Sequence, residues 1–206
     1  MNQPSLSVPS FAKINWRLQI LGRRPDGYHE VRTWLQTISL HDDIHFELSD
    51  DGSISLSCDE PDIPTDDQNL IVRAAATLKL RYKVNEGVQV RLEKRIPAKA
   101  GLGGASSNAA ISLLALAYLW NVKASAAVLL EIGATLGADV PFFLLGGRAL
   151  AMGTGVTVSA ISENADDEVR HLIVITPNAS ISTAKAYGAL SSAALTTLSN
   201  EPILSS

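Results

Sequence analysis

The chain has 206 residues, of which 46% are hydrophobic and 18% are charged, and its formal net charge is −4. This length and composition allow one large domain, or one domain and part of a second. The negative charge argues against general electrostatic binding to nucleic acid. No apolar stretch reaches the roughly 18 residues that span a bilayer, and residues 1–10 do not resemble a signal peptide. We therefore expect a soluble, cytoplasmic protein.

The first half of the chain predicts mostly strands. Residues 11–21 alternate in polarity, so one face would carry Ala12, Ile14, Trp16, Leu18 and Ile20, and the other Lys13, Asn15, Arg17 and Gln19. A turn follows at residues 25–27. Further strands are expected over residues 31–40, 44–48, 53–57 and 88–92, with an acidic loop over 59–67. A helix is expected over residues 69–80, with a buried face that includes Leu70, Ala74, Thr77 and Leu78.

The second half predicts two helices, from about Ser106 to Trp120 and from Ser125 to Gly137. We expect a strand within residues 142–152 interrupted by two glycines, a short strand over 171–175 and a helix over 183–190. Strands and helices mix without a regular βαβ rhythm, which favours an α+β fold.

The glycine-rich segment that runs from Pro97 to Ala110, PAKAGLGGASSNAA, is the most informative part of the chain. Glycines permit close backbone approach, and a loop that feeds a helix N-terminus offers N–H groups and a positive dipole end to a phosphate. The segment lacks the Gly-Lys-Ser/Thr ending of a P-loop, and Ser106 stands where a dinucleotide-binding motif has its third glycine. Phosphate binding is one interpretation, and a flexible turn is the other.

Nearby cations support the phosphate interpretation. Arg91, Lys94, Arg95 and Lys99 lie close together in sequence and are opposed only by Glu93. Such a cluster can focus an anionic ligand, although ordinary solvated charges would show the same pattern.

Other candidate residues are ambiguous taken singly. Lys13 and Asn15 share a strand face, where both could simply be solvated. Asp139 precedes Val140-Pro141 and could be a helix cap or a catalyst. Tyr28 and His29 follow a turn, where they could bind a planar ligand on both sides or simply belong to a surface turn.

The remaining histidines and the single cysteine carry weak signals. His41 and His45 are four apart in or near a strand, a spacing that does not bring two metal ligands together, and His171 has no evident partner. Cys58 cannot form an internal disulfide and is interpreted as a buried or incidental thiol.

Taken in order, four motifs resemble those of the GHMP kinase superfamily, and within it the members that act on 4-diphosphocytidyl-2-C-methyl-D-erythritol. The motifs are AKIN at 12–15, RPDGYH at 24–29, the glycine–serine loop, and LGADVPFF at 136–143. The resemblance covers about residues 10–190 and includes ISTAKAY at 181–187.

The resemblance implies ATP-dependent phosphorylation of the 2-hydroxyl of that compound, a step of the non-mevalonate route to isoprenoid precursors. Asp139 would be the catalytic carboxylate, Lys13 its charged partner, and Asn15 a contact to the methylerythritol end. The ATP phosphates would lie on Pro97, Ala98, Lys99, Ala100, Gly101, Leu102, Gly103, Gly104, Ala105, Ser106 and Ser107.

The same resemblance implies further contacts and a domain plan. His29 would bind the cytosine between Tyr28 and Tyr187, Thr183 would join the substrate-binding set, and Mg²⁺ would accompany ATP and touch Ser107. Residues 1–160 would form the N-terminal ATP-binding domain, related to domain 2 of ribosomal protein S5. Residues 161–206 would begin a truncated C-terminal domain. The partner would be the small-molecule substrate, with neither nucleic acid nor membrane, and the protein a monomer or weak homodimer.

Two loop positions depart from the superfamily pattern, which often has glycine or another small residue there. Lys99 could add a phosphate contact, and Ala105 could restrict the loop if a positive φ were required. The alternatives are another GHMP kinase acting on mevalonate or homoserine, or a non-catalytic nucleotide- or RNA-binding module. Tyr28, His29 and Tyr187 would favour a cytidine-bearing substrate over the first.

Overall fold

The computed structural model describes residues 3–161, 169–177 and 189. The helices and strands, in chain order, are β1 (Ser5–Arg23), β2 (His29–Ser49), β3 (Ile54–Cys58), α1 (Leu70–Tyr82), β4 (Gly87–Glu93), α2 (Gly104–Leu119), α3 (Ala126–Leu136), α4 (Val140–Leu145), β5 (Arg148–Gly153) and β6 (Thr157–Ala160). The α+β prediction is confirmed. Thr183, Tyr187 and nearly all of the predicted helix over 183–190 lie outside the described residues, so the domain boundary near residue 160 stays a prediction.

One six-stranded sheet is organised around the long strand β2. Its neighbours run in the order β3-β4-β2-β5-β6, while β1 pairs with β2 along the other edge. β4 pairs with residues 43–49 of β2 and β5 with residues 31–36. The two strands expected over 31–40 and 44–48 are therefore one strand. The polar residues between them stay within the strand, because Asp42 is buried and its hydrogen bonds compensate for its charge.

The face assignment of β1 is wrong on both sides of Asn15, because Lys13, expected on the polar face, is itself buried. Trp16 and Leu18, expected to be buried, are 45% and 47% exposed, whereas Gln19 is buried. The register of β1 against β2 shifts at three places, between Phe11 and Lys13, between Asn15 and Arg17, and between Ile20 and Gly22. Each extra residue changes the face on which the following side chains lie, so simple alternation fails.

The first helix is close to its prediction. The side chain of Asn69 caps α1 by accepting the Ile71 N–H, and its buried residues are Ile71, Ala74, Ala75 and Leu78. Leu70 and Thr77, expected on the buried face, are only partly buried.

The second and third helices differ in how well their starts were predicted. α3 runs between Ser125 and Gly137, as expected. α2 begins at Gly104, two residues before the predicted start. Its N-cap is Gly103, which has no side chain to cap the helix, and Ser106 lies inside the first turn.

Two predicted strands are corrected. Residues 140–145 form the short helix α4, with Pro141 in its first turn, and the strand begins only at Arg148. A short apolar run does not distinguish a buried helix from a strand by periodicity. Residues 171–175 have no regular structure, and Ile173 is 93% exposed. An extended segment needs a neighbouring strand to satisfy its backbone groups.

The core packs the helices against one face of the sheet. Its largest fully buried side chains include Phe46 and Leu92 from the sheet, Leu113 and Leu116 from α2, and Phe142 from α4. A separate small cluster of Ala12, Ile96 and Leu102 lies under the glycine-rich segment and anchors it to β1. No helix in the described part of the chain is long and apolar enough to cross a membrane.

Candidate active site

The glycine-rich segment forms a loop that turns directly into α2. Gly101 and Gly103 have φ values of 75° and 73°, in the left-handed region that favours glycine. As the N-cap, Gly103 brings no side chain to the first turn, and its carbonyl accepts the Ser107 N–H. The N–H groups of residues 104–106 precede the first possible partner within the helix. The loop therefore presents donors and a helix dipole of the kind that bind phosphate.

Gly103 is the point where three parts of the chain meet. A Cβ atom at this position would lie 2.7 Å from Phe143 Cζ and 3.0 Å from Lys13 Cγ. The backbone N–H of Lys13 donates to the Leu102 carbonyl at 2.9 Å. β1, the loop and α4 thus converge, and a larger residue than glycine would separate them.

Lys13 and Asp139 form an ion pair beside this junction. Lys13 Nζ lies 3.4 Å from Asp139 Oδ2, and the side chains are 7% and 37% exposed, respectively. Asp139 stands at the N-cap position of α4, but within the described residues its side chain makes no capping hydrogen bond. The capping interpretation is therefore wrong, and the carboxylate faces the ammonium and the solvent.

Asn15 joins the same group through hydrogen bonds. Lys13 Nζ donates to Asn15 Oδ1 at 2.8 Å, and Asn15 Nδ2 donates to Thr33 Oγ1 at 2.7 Å. The Thr33 hydroxyl in turn donates to the Arg17 carbonyl at 2.9 Å. Sequence reasoning missed Thr33, because a threonine in a strand is an ordinary β-forming residue.

The two serines of the loop differ in accessibility. Ser107 is buried, and its hydroxyl accepts a hydrogen bond from Ser10 Oγ at 2.8 Å. Ser106 is only partly buried, and its hydroxyl lies 3.7 Å from where a Cβ on Gly137 would be. Ser106 therefore lies next to the turn that leads to Asp139. Ser10 was also missed, since nothing in the sequence links it to residue 107.

Asp42 supports the loop from below. It is completely buried and accepts hydrogen bonds from Lys94 Nζ at 2.6 Å, from the backbone N–H groups of Arg95 and Ile96 at 2.8 Å each, and from Asn108 Nδ2 at 3.1 Å. These bonds fix β2, the entry to the loop and α2 relative to one another. No sequence signal distinguished Asp42 from its neighbour Asp43.

The predicted cation cluster is mostly neutralised within the protein. Arg91 pairs with Glu93, Lys94 with the buried Asp42, and Arg95 with Asp43 at 2.7 Å. These three pairs leave little net positive charge to focus a ligand.

The two unusual loop residues have different backbone conformations. Lys99 is exposed, has φ 58° and forms no ion pair within the described chain. Ala105 lies in the first turn of α2 and has a negative φ, so it does not restrict the loop. Lys99 therefore remains the candidate cation for a phosphate.

Tyr28 and His29 lie at the tip of the β1–β2 ribbon. In the register of the two strands, His29 lies opposite Arg23 and Lys13 lies opposite Thr37. Tyr28 and His29 are therefore at one end of the β1–β2 ribbon, and Lys13 lies at a different position along it. Tyr28 is 67% exposed. The turn is held by Asp26, whose carboxylate accepts the Tyr28 N–H and pairs with Arg24, and these contacts lower the pKa of Asp26.

The remaining candidates have separate environments. His41 Nδ1 hydrogen-bonds to the Ser39 carbonyl and His45 to the Ser7 hydroxyl. Among the described residues, no three His, Cys, Asp or Glu side chains are grouped to hold a metal ion. Cys58 is partly buried, and this burial raises the pKa of its thiol.

Comparison with known proteins relates this geometry to a family. The family described as GHMP kinases N terminal domain matches residues 69–147. The 4-diphosphocytidyl-2-C-methyl-D-erythritol kinase of Pseudomonas syringae is 43% identical over 187 residues, which are 91% of this chain and 64% of that protein. This chain therefore spans less than two thirds of the length of that relative.

Solved structures agree with the sequence comparison. A crystal structure of 4-(cytidine 5'-diphospho)-2C-methyl-D-erythritol kinase is 40% identical, with a TM-score of 0.66, over 76% of this chain and 55% of the other. Homoserine kinase from Cytophaga hutchinsonii is 18% identical, with a TM-score of 0.58, over 81% of this chain and 57% of the other, a likeness that shows the fold alone. The chain is thus similar to GHMP kinases in sequence, fold and glycine loop, and its residues 69–147 match the N-terminal domain of that family.

Proposed function

We propose that the protein transfers the γ-phosphoryl group of ATP to the 2-hydroxyl of 4-diphosphocytidyl-2-C-methyl-D-erythritol. One observation carries the proposal. The Lys13–Asp139 ion pair lies directly beside the Gly103 turn of the loop, because a Cβ on Gly103 would lie within 3.0 Å of Lys13. A charge pair next to a phosphate-binding loop is the arrangement needed to hold an alcohol against a phosphoryl group.

The loop would hold the phosphates of ATP. The backbone N–H groups of residues 104–106 are the donors, and the positive end of α2 favours the negative charge. The contacts predicted for Pro97 to Ser107 belong to this role. Lys99 would add a side-chain cation at the exposed rim of the loop.

Asp139 would orient the acceptor hydroxyl and take its proton. A carboxylate is a weak base for an alcohol, but phosphoryl transfer through a loose transition state does not require early proton removal. The proton can therefore move to Asp139 late, as the oxygen–phosphorus bond forms. Lys13, whose ammonium is 3.4 Å from this carboxylate, would offset the negative charge that develops in the transition state.

Mg²⁺ would accompany ATP, with Ser107 as its predicted protein contact. The residues present fit this ion in one respect: the first turn of α2 offers the hydroxyl oxygen of Ser107, which accepts a hydrogen bond from Ser10 of β1, and the described residues hold no cluster of carboxylates. Mg²⁺ commonly keeps several waters and uses substrate phosphates as ligands, so few protein ligands are needed. When bound, the ion would neutralise charge on the β- and γ-phosphates.

The acceptor would lie along the β1–β2 ribbon. Asn15, beside Lys13, would contact the methylerythritol end. His29 at the ribbon tip would bind the cytosine, with the exposed ring of Tyr28 on one side. Tyr187 and Thr183 complete this predicted set and lie outside the described residues. Asn15 and Lys13 lie at one position on the ribbon, and Tyr28 and His29 lie at its tip. An elongated alcohol that is linked to a nucleotide could contact both places at once.

A phosphotransfer assay tests the proposal directly. The chain is incubated with radiolabelled ATP, Mg²⁺ and, in separate reactions, the cytidylated methylerythritol, mevalonate or homoserine. Product formed only with the cytidylated compound is the expected result, and transfer to another alcohol instead would overturn the substrate assignment. Thermal stabilisation by ATP–Mg²⁺ and by CDP is expected in parallel. Stabilisation by an RNA oligomer alone would favour a binding module over a kinase.

A further inference from the structure

Thr33 makes two hydrogen bonds that the proposed chemistry has not used. It lies in β2, is 5% exposed, and its Oγ1 accepts a bond from Asn15 Nδ2 at 2.7 Å. The same hydroxyl donates its single proton to the Arg17 carbonyl at 2.9 Å. With that proton committed, the hydroxyl can only accept from Asn15.

This arrangement fixes the direction of the Asn15 amide. Its Nδ2 must face the Thr33 hydroxyl, so its Oδ1 faces Lys13 Nζ at 2.8 Å. The opposite orientation would place an NH₂ group against the Lys13 ammonium, two donors facing each other. It would also leave Asn15 Oδ1 facing a hydroxyl that has no proton to give.

The backbone of β1 supplies the Arg17 carbonyl, which is the last acceptor in this series of hydrogen bonds. The β1–β2 register shifts between Asn15 and Arg17, so β1 has an extra residue, Trp16, at this point. Such bulges re-aim side chains and free backbone groups from the regular ladder. The Arg17 carbonyl thus becomes an acceptor for the Thr33 hydroxyl.

We propose that Thr33 is a positioning residue that acts through Asn15 to hold the Lys13 ammonium against Asp139. Lys13 Nζ lies between Asn15 Oδ1 at 2.8 Å and Asp139 Oδ2 at 3.4 Å, so a loosened Asn15 removes one of these two restraints. The catalytic consequence rests on the proposed kinase function, whereas the restraint on Asn15 does not.

Two substitutions and a matched control test this role. Thr33→Val keeps the shape but removes the hydroxyl, and Thr33→Ser keeps the hydroxyl. Thr37→Val is the control, because Thr37 lies on the same strand and its buried hydroxyl has no hydrogen-bond partner among the described residues. Thr33→Val is expected to lower kcat about tenfold while the KM for ATP changes less than about twofold. Thr33→Ser and Thr37→Val are expected to stay near the original kcat.

A purely structural role would give a different pattern. If Thr33 only stabilised the bulge, Thr33→Val would lower the melting temperature while kcat, measured well below it, would be unchanged. That result would overturn the proposal. So would equal losses of kcat in Thr33→Val and Thr37→Val.

A second measurement does not depend on turnover. The side-chain amide protons of Asn15 are followed by NMR hydrogen exchange in the ¹⁵N-labelled chain. Faster exchange is expected in Thr33→Val, with recovery in Thr33→Ser, and unchanged exchange would overturn the inference. If the original chain transfers no phosphate, the proposed function fails while this measurement still decides whether Thr33 restrains Asn15.

Discussion

The ammonium of Lys13 lies 3.4 Å from a carboxylate oxygen of Asp139, which joins a residue of β1 to the residue before α4. The lysine side chain is almost enclosed, whereas the aspartate remains partly open to solvent. In the proposed reaction the acceptor hydroxyl would reach the exposed Asp139 carboxylate, whereas the buried Lys13 ammonium would act only as a fixed positive charge. The proposal therefore gives the two members of the pair different roles.

Replacing Asp139 by Asn is expected to remove turnover and to spare nucleotide binding. The amide keeps the shape but neither accepts the proton nor pairs with Lys13, so kcat should fall by about 10²–10⁴-fold. The Kd for ATP, measured by calorimetry, should change less than about twofold because the loop is untouched. Asp67→Asn, in an exposed loop, is the control. Turnover near the original value in Asp139→Asn would contradict the catalytic assignment.

Gly103→Ala is expected to destabilise the protein more than Gly101→Ala. Both glycines have nearly equal φ values, 73° and 75°, so both substitutions carry the same backbone cost of about 1–2 kcal/mol. At Gly103 the new methyl group would also lie 2.7 Å from Phe143, whereas at Gly101 it would meet open space. This clash should add about 1–3 kcal/mol.

Urea unfolding of the two glycine variants measures the difference. Because the backbone term is shared, the gap between the two free energies of unfolding isolates the contact between the loop and α4. Equal losses in the two variants would show that the convergence at Gly103 is not tightly packed.

Lys99 combines an unfavourable backbone conformation with a charge that forms no ion pair with any other described residue. Lys99→Gly should relieve the cost of φ 58° and leave the free energy of unfolding unchanged or raise it by up to about 1 kcal/mol. Lys99→Gln keeps the backbone cost but removes the charge. If the ammonium contacts phosphate, both variants should bind ATP several-fold more weakly at low salt, with less difference at high salt. ATP affinity in Lys99→Gln equal to the original would exclude that contact.

Asp42→Asn is expected to cost far more stability than Asp43→Asn. Asp42 is fully buried with Lys94, and breaking a buried pair by removing one partner costs about 3–5 kcal/mol. Asp43 pairs with Arg95 on the surface, where an ion pair contributes about 1 kcal/mol or less.

The double variant Asp42→Asn, Lys94→Met separates the two causes of this loss. Removing both charges should recover part of the stability, because no unpaired charge then stays buried. Chemical denaturation measures all three variants. Equal losses in Asp42→Asn and Asp43→Asn would contradict the supporting role of Asp42 beneath the loop.

Local features were predictable where short-range rules dominate. The glycine loop, the helix α1 and the strand β4 follow from backbone freedom, helical periodicity and strand alternation. The same rules failed at α4, where a short apolar run fits either a helix or a strand. They also failed in β1, where bulges put Trp16 and Leu18 on the exposed side.

The sequence by itself determined the glycine-rich loop before α2 and, through motifs that are each short, the resemblance to GHMP kinases, because each depends on residues close together in the chain. Only the tertiary structure decided that Asp42 is buried beneath the loop, that Ser10 contacts Ser107, and that Asn15 donates a hydrogen bond to Thr33. These contacts join residues far apart in sequence. Their existence depends on strand register and helix packing, which no local pattern encodes.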